Sequence, residues 1–281
     1  MFSINDFELM KFIEDDVPYL DLTTSLQEAH DRFAKMEFTS REDLTLSCTE
    51  EAKRVVELLG CEVVKFSKSG SMAKKGEIIF SFKGEYESVH KAWRSSQLLL
   101  EYSSGIATYT SKMKKEIEEV NPHCELLGTR KNFPFAKKFC IKSIISGGAM
   151  PHRLGLSETV LFFPNHRVIY KDKEEFFKAL KDIKRKIPEK KLVVESESFD
   201  EALELIEVGV DVLQMDKVTP EVLASIINHI EKSSLHVKVL AAGGINKSNA
   251  KEFAKSGVHG IVTSAMYLNP MANIGSKLEL I

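Results

Sequence analysis

Cysteine is scarce in this chain: 4 of 281 residues, Cys48, Cys61, Cys124 and Cys140, lie far apart with no Cys-x-x-Cys pair. No histidines stand at zinc-ligand spacing around them, so a disulfide scaffold and a structural zinc site are excluded and the four read as reduced core residues. An excess of one charge is missing as well. Lys and Arg number 39 against 41 Asp and Glu, a formal net charge of -2, which gives no global field for nucleic acid or an anionic membrane. Any anion-binding surface must be local. Long hydrophobic runs are absent too: no uncharged stretch approaches the roughly 20 apolar residues of a membrane span. The opening MFSINDFELMKFIEDD is acidic and amphipathic rather than a basic region followed by an apolar run, so no secretory signal is expected. What the chain does have is apolar content, 43% of residues, enough to build one large core or two smaller ones. The expectation is a soluble, cytoplasmic protein.

The hydrophobic pattern divides the chain. Phe7, Met10 and Ile13 fit one face of a short leading helix, followed by a turn-like Asp21-Leu22-Thr23-Thr24. Short β-prone runs at Leu44–Ser47 and Glu77–Phe82 flank a helix-like Glu51–Leu59, the pattern of a small α+β unit. A long helical stretch runs from about Tyr86 toward Glu119, with Gly105 as the expected break. Beyond Asn121-Pro122, strand-like and helix-like segments alternate: strands at 124–127, 159–163, 191–195, 210–215, 237–240 and 260–263, helices from about 136 and at 173–187, 199–208, 220–230 and 246–256. Such alternation implies an α/β fold with a parallel sheet and crossover helices, here expected to curl into a barrel.

In barrels of this kind the chemistry gathers just after the strands. Those positions carry Gly128-Thr129-Arg130-Lys131, Glu195-Ser196-Glu197, Asp216-Lys217, Ala241-Ala242-Gly243-Gly244 and Ser264-Ala265. The set offers guanidinium and ammonium cations, carboxylates suited to magnesium, and a glycine pair where backbone N–H groups can approach a phosphate. The glycine-rich loop Gly147-Gly148-Ala149-Met150-Pro151-His152-Arg153-Leu154-Gly155-Leu156 adds His152 and Arg153 to the same rim. Each motif alone has a plainer reading. Arg130-Lys131 could be a solvated turn, Glu195 and Asp216 a salt-bridge network, and Gly243-Gly244 an ordinary tight turn. The lysine-rich stretch from Lys178 to Lys191 is the exposed face and basic end of a helix. His30, His90, His229 and His236 have no convergent partners and read as structural.

Taken in order, Thr129-Arg130-Lys131, Pro134, Gly147-Gly148, His152-Arg153-x-Gly155-Leu156 and Asn165-His166 resemble the signature of quinolinate phosphoribosyltransferases, the type II phosphoribosyltransferases of NAD synthesis. The match extends through Asp21-Leu22-Thr23-Thr24, Arg94, Ser104-Gly105-Ile106-Ala107-Thr108, Glu195, Asp216 and Gly243-Gly244, nearly the whole chain. The wording Phe133-Pro134-Phe135-Ala136-Lys137 and Pro151 to Thr159 is closest to the ModD-type branch, pyrophosphorylases associated with molybdenum-transport operons.

The resemblance implies an N-terminal α/β sandwich over 1–108, an incomplete TIM-like α/β barrel over 109–270, and a tail over 271–281 packing back on the first domain. It implies a homodimer, or a higher even oligomer, whose active site is shared between subunits. Arg130, His152 and Arg153 would bind an acidic nitrogen heterocycle, and Lys131 would face both it and the phosphoribosyl pyrophosphate. Arg94 would reach in from the neighbouring subunit. Glu195 and Asp216 would act at the ribose and hold Mg²⁺ with the pyrophosphate. Gly243, Gly244, Ser264 and Ala265 would take the 5′-phosphate.

The chain also departs from that family. Phe163 and Pro164 replace a lysine that contacts a quinolinate carboxylate and the acidic residue after it; Lys217 replaces an asparagine and Ala242 a serine. Loss of a cation beside a dianion leaves one carboxylate poorly paired, so the expected acceptor is smaller or less acidic than quinolinate. Two other functions compete: a Schiff-base lyase using Lys131 or Lys217, and a non-catalytic protein that binds a phosphoribosyl ligand.

Overall fold

The computed structural model describes residues 2–27, 29, 31–233 and 235–281; the expectation for His30 lies outside the described residues. The chain forms two units, one of residues 2–111, 133–148 and 267–281, the other of residues 112–132 and 149–266.

The first unit begins with α1 (Asp6–Asp16), whose first turn is capped by Asn5: its side-chain oxygen accepts from the Glu8 N–H at 3.0 Å. The helix buries Leu9 and Ile13, whereas Phe7 is 68% exposed. The face expected from Phe7, Met10 and Ile13 is therefore rotated toward Leu9. Asp21 does more than turn the chain, since its carboxylate accepts from the Thr23 and Thr24 N–H groups and caps α2 (Leu22–Leu26). An antiparallel sheet follows. Strand β1 (Phe33–Ser40) pairs on one side with β5 (Ile78–Glu85) and on the other with the C-terminal strand Ile274–Leu280, while β3 (Glu62–Phe66) closes the far edge beyond β5. The short β2 (Leu44–Thr45) and β4 (Met72–Ala73) form a separate ribbon.

Burial along β1 alternates strictly, the signature of a sheet packed on one face. Its inward side carries Phe38, which meets Phe80 and Phe82 of β5 at ring-centroid distances of 5.9 and 5.8 Å. Helix α3 (Thr49–Leu58) contributes Ala52 and Val56 to that core. Beside it, Lys142 of α5 (Lys137–Ser146) bonds both oxygens of buried Glu51 at 2.6 and 2.8 Å and reaches Glu50 at 2.9 Å.

Helix α4 (Tyr86–Glu118) runs unbroken for 33 residues. Gly105 does not interrupt it, because the glycine serves close approach: a Cβ there would lie 2.8 Å from the Pro270 carbonyl oxygen. The expected division at 108, 109 and 270 also differs from the observed one. Residues 133–148, including α5, have their contacts in the first unit although α5 lies in sequence between two strands of the second.

Among the described residues the second unit holds seven strands: β6 (Glu125–Gly128), β7 (Met150–Pro151), β8 (Val160–Phe162), β9 (Leu192–Ser196), β10 (Val212–Asp216), β11 (Lys238–Ala242) and β12 (Gly260–Thr263). They are parallel, in the order β7-β6-β12-β11-β10-β9-β8. Crossover helices α6 (Lys173–Lys186), α7 (Phe199–Val208), α8 (Pro220–Lys232) and α9 (Ala250–Lys255) connect the later strands. Strand β9 is buried at every position, as a parallel strand covered on both faces must be. Consecutive strands β7 and β8 form the two edges of the sheet, so the curled sheet is an incomplete barrel. Among the described residues no helix is long and apolar enough to cross a membrane.

Candidate active site

Parallel register places the strand ends side by side. Gly128 lies opposite Pro151 on one side and Thr263 on the other, and Asp216 lies opposite Ala242. Every expected site residue of the second unit therefore sits on one rim of the sheet, while Arg94 is exposed on α4 in the first unit.

One side of the rim is cationic. The His152 N–H donates to the Gly128 carbonyl at 2.8 Å and the Thr129 N–H to the Thr263 carbonyl at 3.0 Å, which ties the two cation-bearing loops to the sheet. Arg130 and Lys131 are exposed and Arg153 is half-buried. Burial, with repulsion from Arg130, lowers the Arg153 pKa from its ordinary value. No carboxylate pairs with Arg130 or Arg153 among the described residues. Burial, helped by Arg153, pushes the His152 imidazole down to about 4, so it is neutral at physiological pH. Next to Lys131, the buried Asn132 Nδ2 has no hydrogen-bond partner. Two guanidinium groups close enough to repel, with no carboxylate partner among the described residues, are what an anion site requires.

Phe163 stands at the end of β8, the opposite edge of the sheet. The Arg153 guanidinium lies 5.8 Å from its ring centroid, and His166 stacks on it at 5.8 Å with planes 24° apart. The Phe163 N–H donates to His166 Nδ1 at 3.0 Å, which fixes the imidazole.

The other side of the rim is acidic. Glu195 Oε2 accepts from Gln214 Nε2 at 2.7 Å, and the Glu195 carbonyl accepts from Arg167, which also pairs with Glu201 at 2.6 Å. Burial raises the Glu195 pKa; the Gln214 hydrogen bond opposes the shift and the Asp216 charge adds to it. Asp216 faces Lys217 Nζ at 3.1 Å, and Glu197 meets the same amine at 3.2 Å. Those two carboxylates, Asp216 foremost, raise the Lys217 pKa and hold the amine protonated, the opposite of what a Schiff-base nucleophile needs.

Lys217 adopts left-handed backbone (φ 55°) and its N–H donates to the Ala242 carbonyl at 3.0 Å. That brings the glycine turn against the acid: a Cβ on Gly243 (φ 86°) would lie 2.6 Å from the Lys217 nitrogen and 2.7 Å from Asp216 Oδ1. Only glycine fits there. Helix α9 starts at Ala250, not at Asn246, so the turn has no helix N-terminus directly behind it. Asn246 and Asn249 instead hold the loop by bonding the Gly244 carbonyl at 3.4 and 3.3 Å. Ser264 is half-buried beside this loop's anchor, since Thr263 Oγ1 bonds the Ile245 carbonyl at 2.6 Å. The Ala265 N–H already donates to Thr263 Oγ1 at 3.1 Å.

Among the described residues no cluster of three or more His, Cys, Asp or Glu side chains could hold a metal alone. Glu195 and Asp216 fit a magnesium that arrives with phosphate ligands, because that ion usually takes one or two carboxylates and completes its shell from substrate and water.

An unclosed parallel sheet with guanidinium groups that lack carboxylate partners and a buried carboxylate along its strand ends defines a class, the barrel-type α/β enzymes that act on small anionic substrates. Comparison with known proteins narrows it. The family model described as quinolinate phosphoribosyl transferase, C-terminal domain, matches residues 106–272, and its N-terminal companion matches residues 21–104. The chain belongs to the quinolinate phosphoribosyl transferase family, which are pentosyltransferases. Among its relatives, "Putative pyrophosphorylase ModD" of Rhodobacter capsulatus is 33% identical over 92% of this chain and 98% of that one. The protein of the same name from Pasteurella multocida is 30% identical over 95% of each. The solved nicotinate-nucleotide pyrophosphorylase of Francisella tularensis has a TM-score of 0.89 at 22% identity, over 99% of this chain and 98% of that one, and shows the shared fold.

The sequence pattern pointed to Glu197 only as part of the strand-end run Glu195-Ser196-Glu197, and it did not point to Gln214 or Arg167. Gln214 was visible as a lone carboxamide in the strand Val212-Leu213-Gln214-Met215-Asp216. Arg167 gave no local signal, because its role depends on contacts 28 and 34 residues away in sequence.

Proposed function

We propose that this protein transfers the phosphoribosyl group of phosphoribosyl pyrophosphate to the ring nitrogen of an aromatic heterocyclic acid less acidic than quinolinate, releasing pyrophosphate. The observation that carries the reading is the placement of unpaired Arg130 and Arg153 on the same strand-end rim as Glu195 and Asp216. The guanidinium groups bind and orient the acceptor's carboxylate, and neutral His152 adds a hydrogen bond without a third charge. The lone pair of the ring nitrogen attacks the anomeric carbon as the bond to the pyrophosphate oxygen breaks; the product is an N-ribosylated cation and free pyrophosphate. Glu195 and Asp216 stabilise positive charge at the sugar, and Lys131 faces the negative charge on the leaving group. The Gly243-Gly244 turn and Ser264 receive the 5′-phosphate. Magnesium, held by Glu195 and Asp216, would neutralise pyrophosphate charge. Arg94 acts from a second subunit of a cytoplasmic homodimer or higher even oligomer.

Phe163 supplies the acceptor preference. A ring packed by Arg153 and His166 offers a second carboxylate no cation. The test is incubation with phosphoribosyl pyrophosphate, Mg²⁺ and a panel of heterocyclic mono- and diacids, read by mass spectrometry for ribotides. A monoacid ribotide is expected, with quinolinate a poor substrate that Phe163→Lys improves. No ribotide from any acid would overturn the reading, and quinolinate used as well as the best monoacid would overturn the role of Phe163.

A further inference from the structure

Strand β10 carries an anomaly. A parallel strand covered on both faces is ordinarily apolar throughout, yet Gln214 sits in the middle of this one at 4% exposure. Register sets it opposite Glu195 on β9 and Leu240 on β11, and Leu240 in turn opposite Gly260 on β12. Leucine or methionine would fill the same space without bringing a polar group into the interior.

Half of that polar group is accounted for. Gln214 Nε2 donates to Glu195 Oε2 at 2.7 Å, and because a carboxylate accepts only, the contact fixes which end of the amide faces it. Gln214 Oε1 is then turned to a place where it is buried and has no partner among the described residues. The second oxygen of Glu195 also has no hydrogen-bond partner among them. Nor does a donor come from across the sheet. A Cβ on Gly260 would lie 2.9 Å from Leu240 Cδ2 and 3.2 Å from Leu127 Cδ1, so leucine side chains already fill the space that a donor there would need. The result is two acceptor oxygens on a hydrogen-bonded pair of side chains, one layer below Asp216, with no protein donor for either among the described residues; that of Gln214 is fully buried.

A buried acceptor left unpaired is costly, so an arrangement that keeps one points to a ligand donor. We infer that Gln214 is a substrate-binding residue. Its Oε1 and the free oxygen of Glu195 accept hydrogen bonds from the two adjacent hydroxyls of the phosphoribosyl group. A vicinal diol supplies two donors at the spacing of neighbouring side-chain oxygens, which a heterocycle attacking through a lone pair does not. Gln214 therefore acts twice: it holds Glu195 in place through Nε2 and reads the sugar through Oε1. This inference rests on the phosphoribosyl reading above.

The test is calorimetric binding of phosphoribosyl pyrophosphate and its 2-deoxy and 3-deoxy analogues with Mg²⁺. Wild-type protein should bind at least one deoxy analogue about 10- to 100-fold more weakly than the full donor, the effect of stranding one buried acceptor. Gln214→Met should bind the full donor more weakly by a similar factor, yet discriminate against that analogue by less than about 3-fold, since groups that share one hydrogen bond are not additive. Gln214→Asn, which keeps the amide but withdraws it by one methylene, should lose the same discrimination and serves if the methionine variant does not fold. Full discrimination retained in a folded variant overturns the inference, as does a wild type indifferent to both hydroxyls. A wild type that binds the donor but fails this cycle leaves the proposed reaction standing; one that binds no donor at all removes both.

Discussion

Lys142 in the first unit and Arg153 in the second are both cations drawn away from water, and their surroundings treat them oppositely. Lys142 is enclosed with Glu51, at 3% and 2% side-chain exposure, and bonds both its oxygens as well as Glu50. Burial works against its charge, but the hydrogen bonds to Glu51 and Glu50 outweigh it and raise the pKa. Glu50, despite its own burial, is held down at about 2 by Ser69 and Lys142. Arg153 has a second guanidinium and an aromatic ring for company, and its pKa is lowered. The first cluster is complete without a ligand and holds the fold. The second lacks a counter-charge among the described residues, which supports the substrate site proposed there.

Breaking the closed cluster should have the largest effect. Lys142→Met strands Glu51 at 2% exposure, and urea denaturation should show a loss of about 3–5 kcal/mol. Adding Glu51→Leu should recover much of it, because the cost is the unpaired charge.

The open cluster should answer in the reverse way. Glu195→Gln removes a carboxylate already disfavoured by burial, so the melting temperature should hold or rise while kcat falls about 100- to 1,000-fold. A large drop in stability would mean that Glu195 belongs with the structural charges.

Gly243→Ala should damage both properties. Its methyl group would enter a space 2.6 Å from the Lys217 nitrogen on a backbone at φ 86°, which costs about 1–3 kcal/mol and pushes the turn off Asp216. Donor affinity and melting temperature should fall together.

The smallest expected effect concerns pH. The folded pKa of His152, about 4, lies below its ordinary 6.5, so the unfolded chain binds more protons between those values. Its contribution to stability is complete above pH 6.5 and is lost as pH falls toward 4. Acid denaturation of His152→Asn should be shallower in that window, and acceptor affinity should show no inflection from this residue between pH 6.5 and 8.

Much of the barrel was legible in the sequence because its strands are buried on both faces and its helices are amphipathic. The helix at 199–208 and the strand at 260–263 fall where the pattern placed them. The strands of the first unit were harder. β1 alternates apolar and polar residues, Ala34-Lys35-Met36-Glu37-Phe38, yet its partners are far away in sequence, and the C-terminal strand Ile274–Leu280 pairs with it across more than 230 residues. Gly105 misled because a glycine in a helix can mean a break or a close approach, and only the Pro270 carbonyl distinguishes them. For the site, charged residues after strands were readable one by one. Which charges are paired was not, since Lys142 with Glu51 and Arg130 beside Arg153 are facts of tertiary placement.

The proposed reaction requires the open cluster to be a phosphoribosyl transfer site. The most direct test supplies wild-type protein and Glu195→Gln with phosphoribosyl pyrophosphate, Mg²⁺ and the best heterocyclic acid, and quantifies pyrophosphate and ribotide together. Equimolar pyrophosphate and ribotide from the wild type, nearly abolished in a variant that melts no lower, is the predicted result. Pyrophosphate without ribotide, or equal turnover by both proteins, would contradict it.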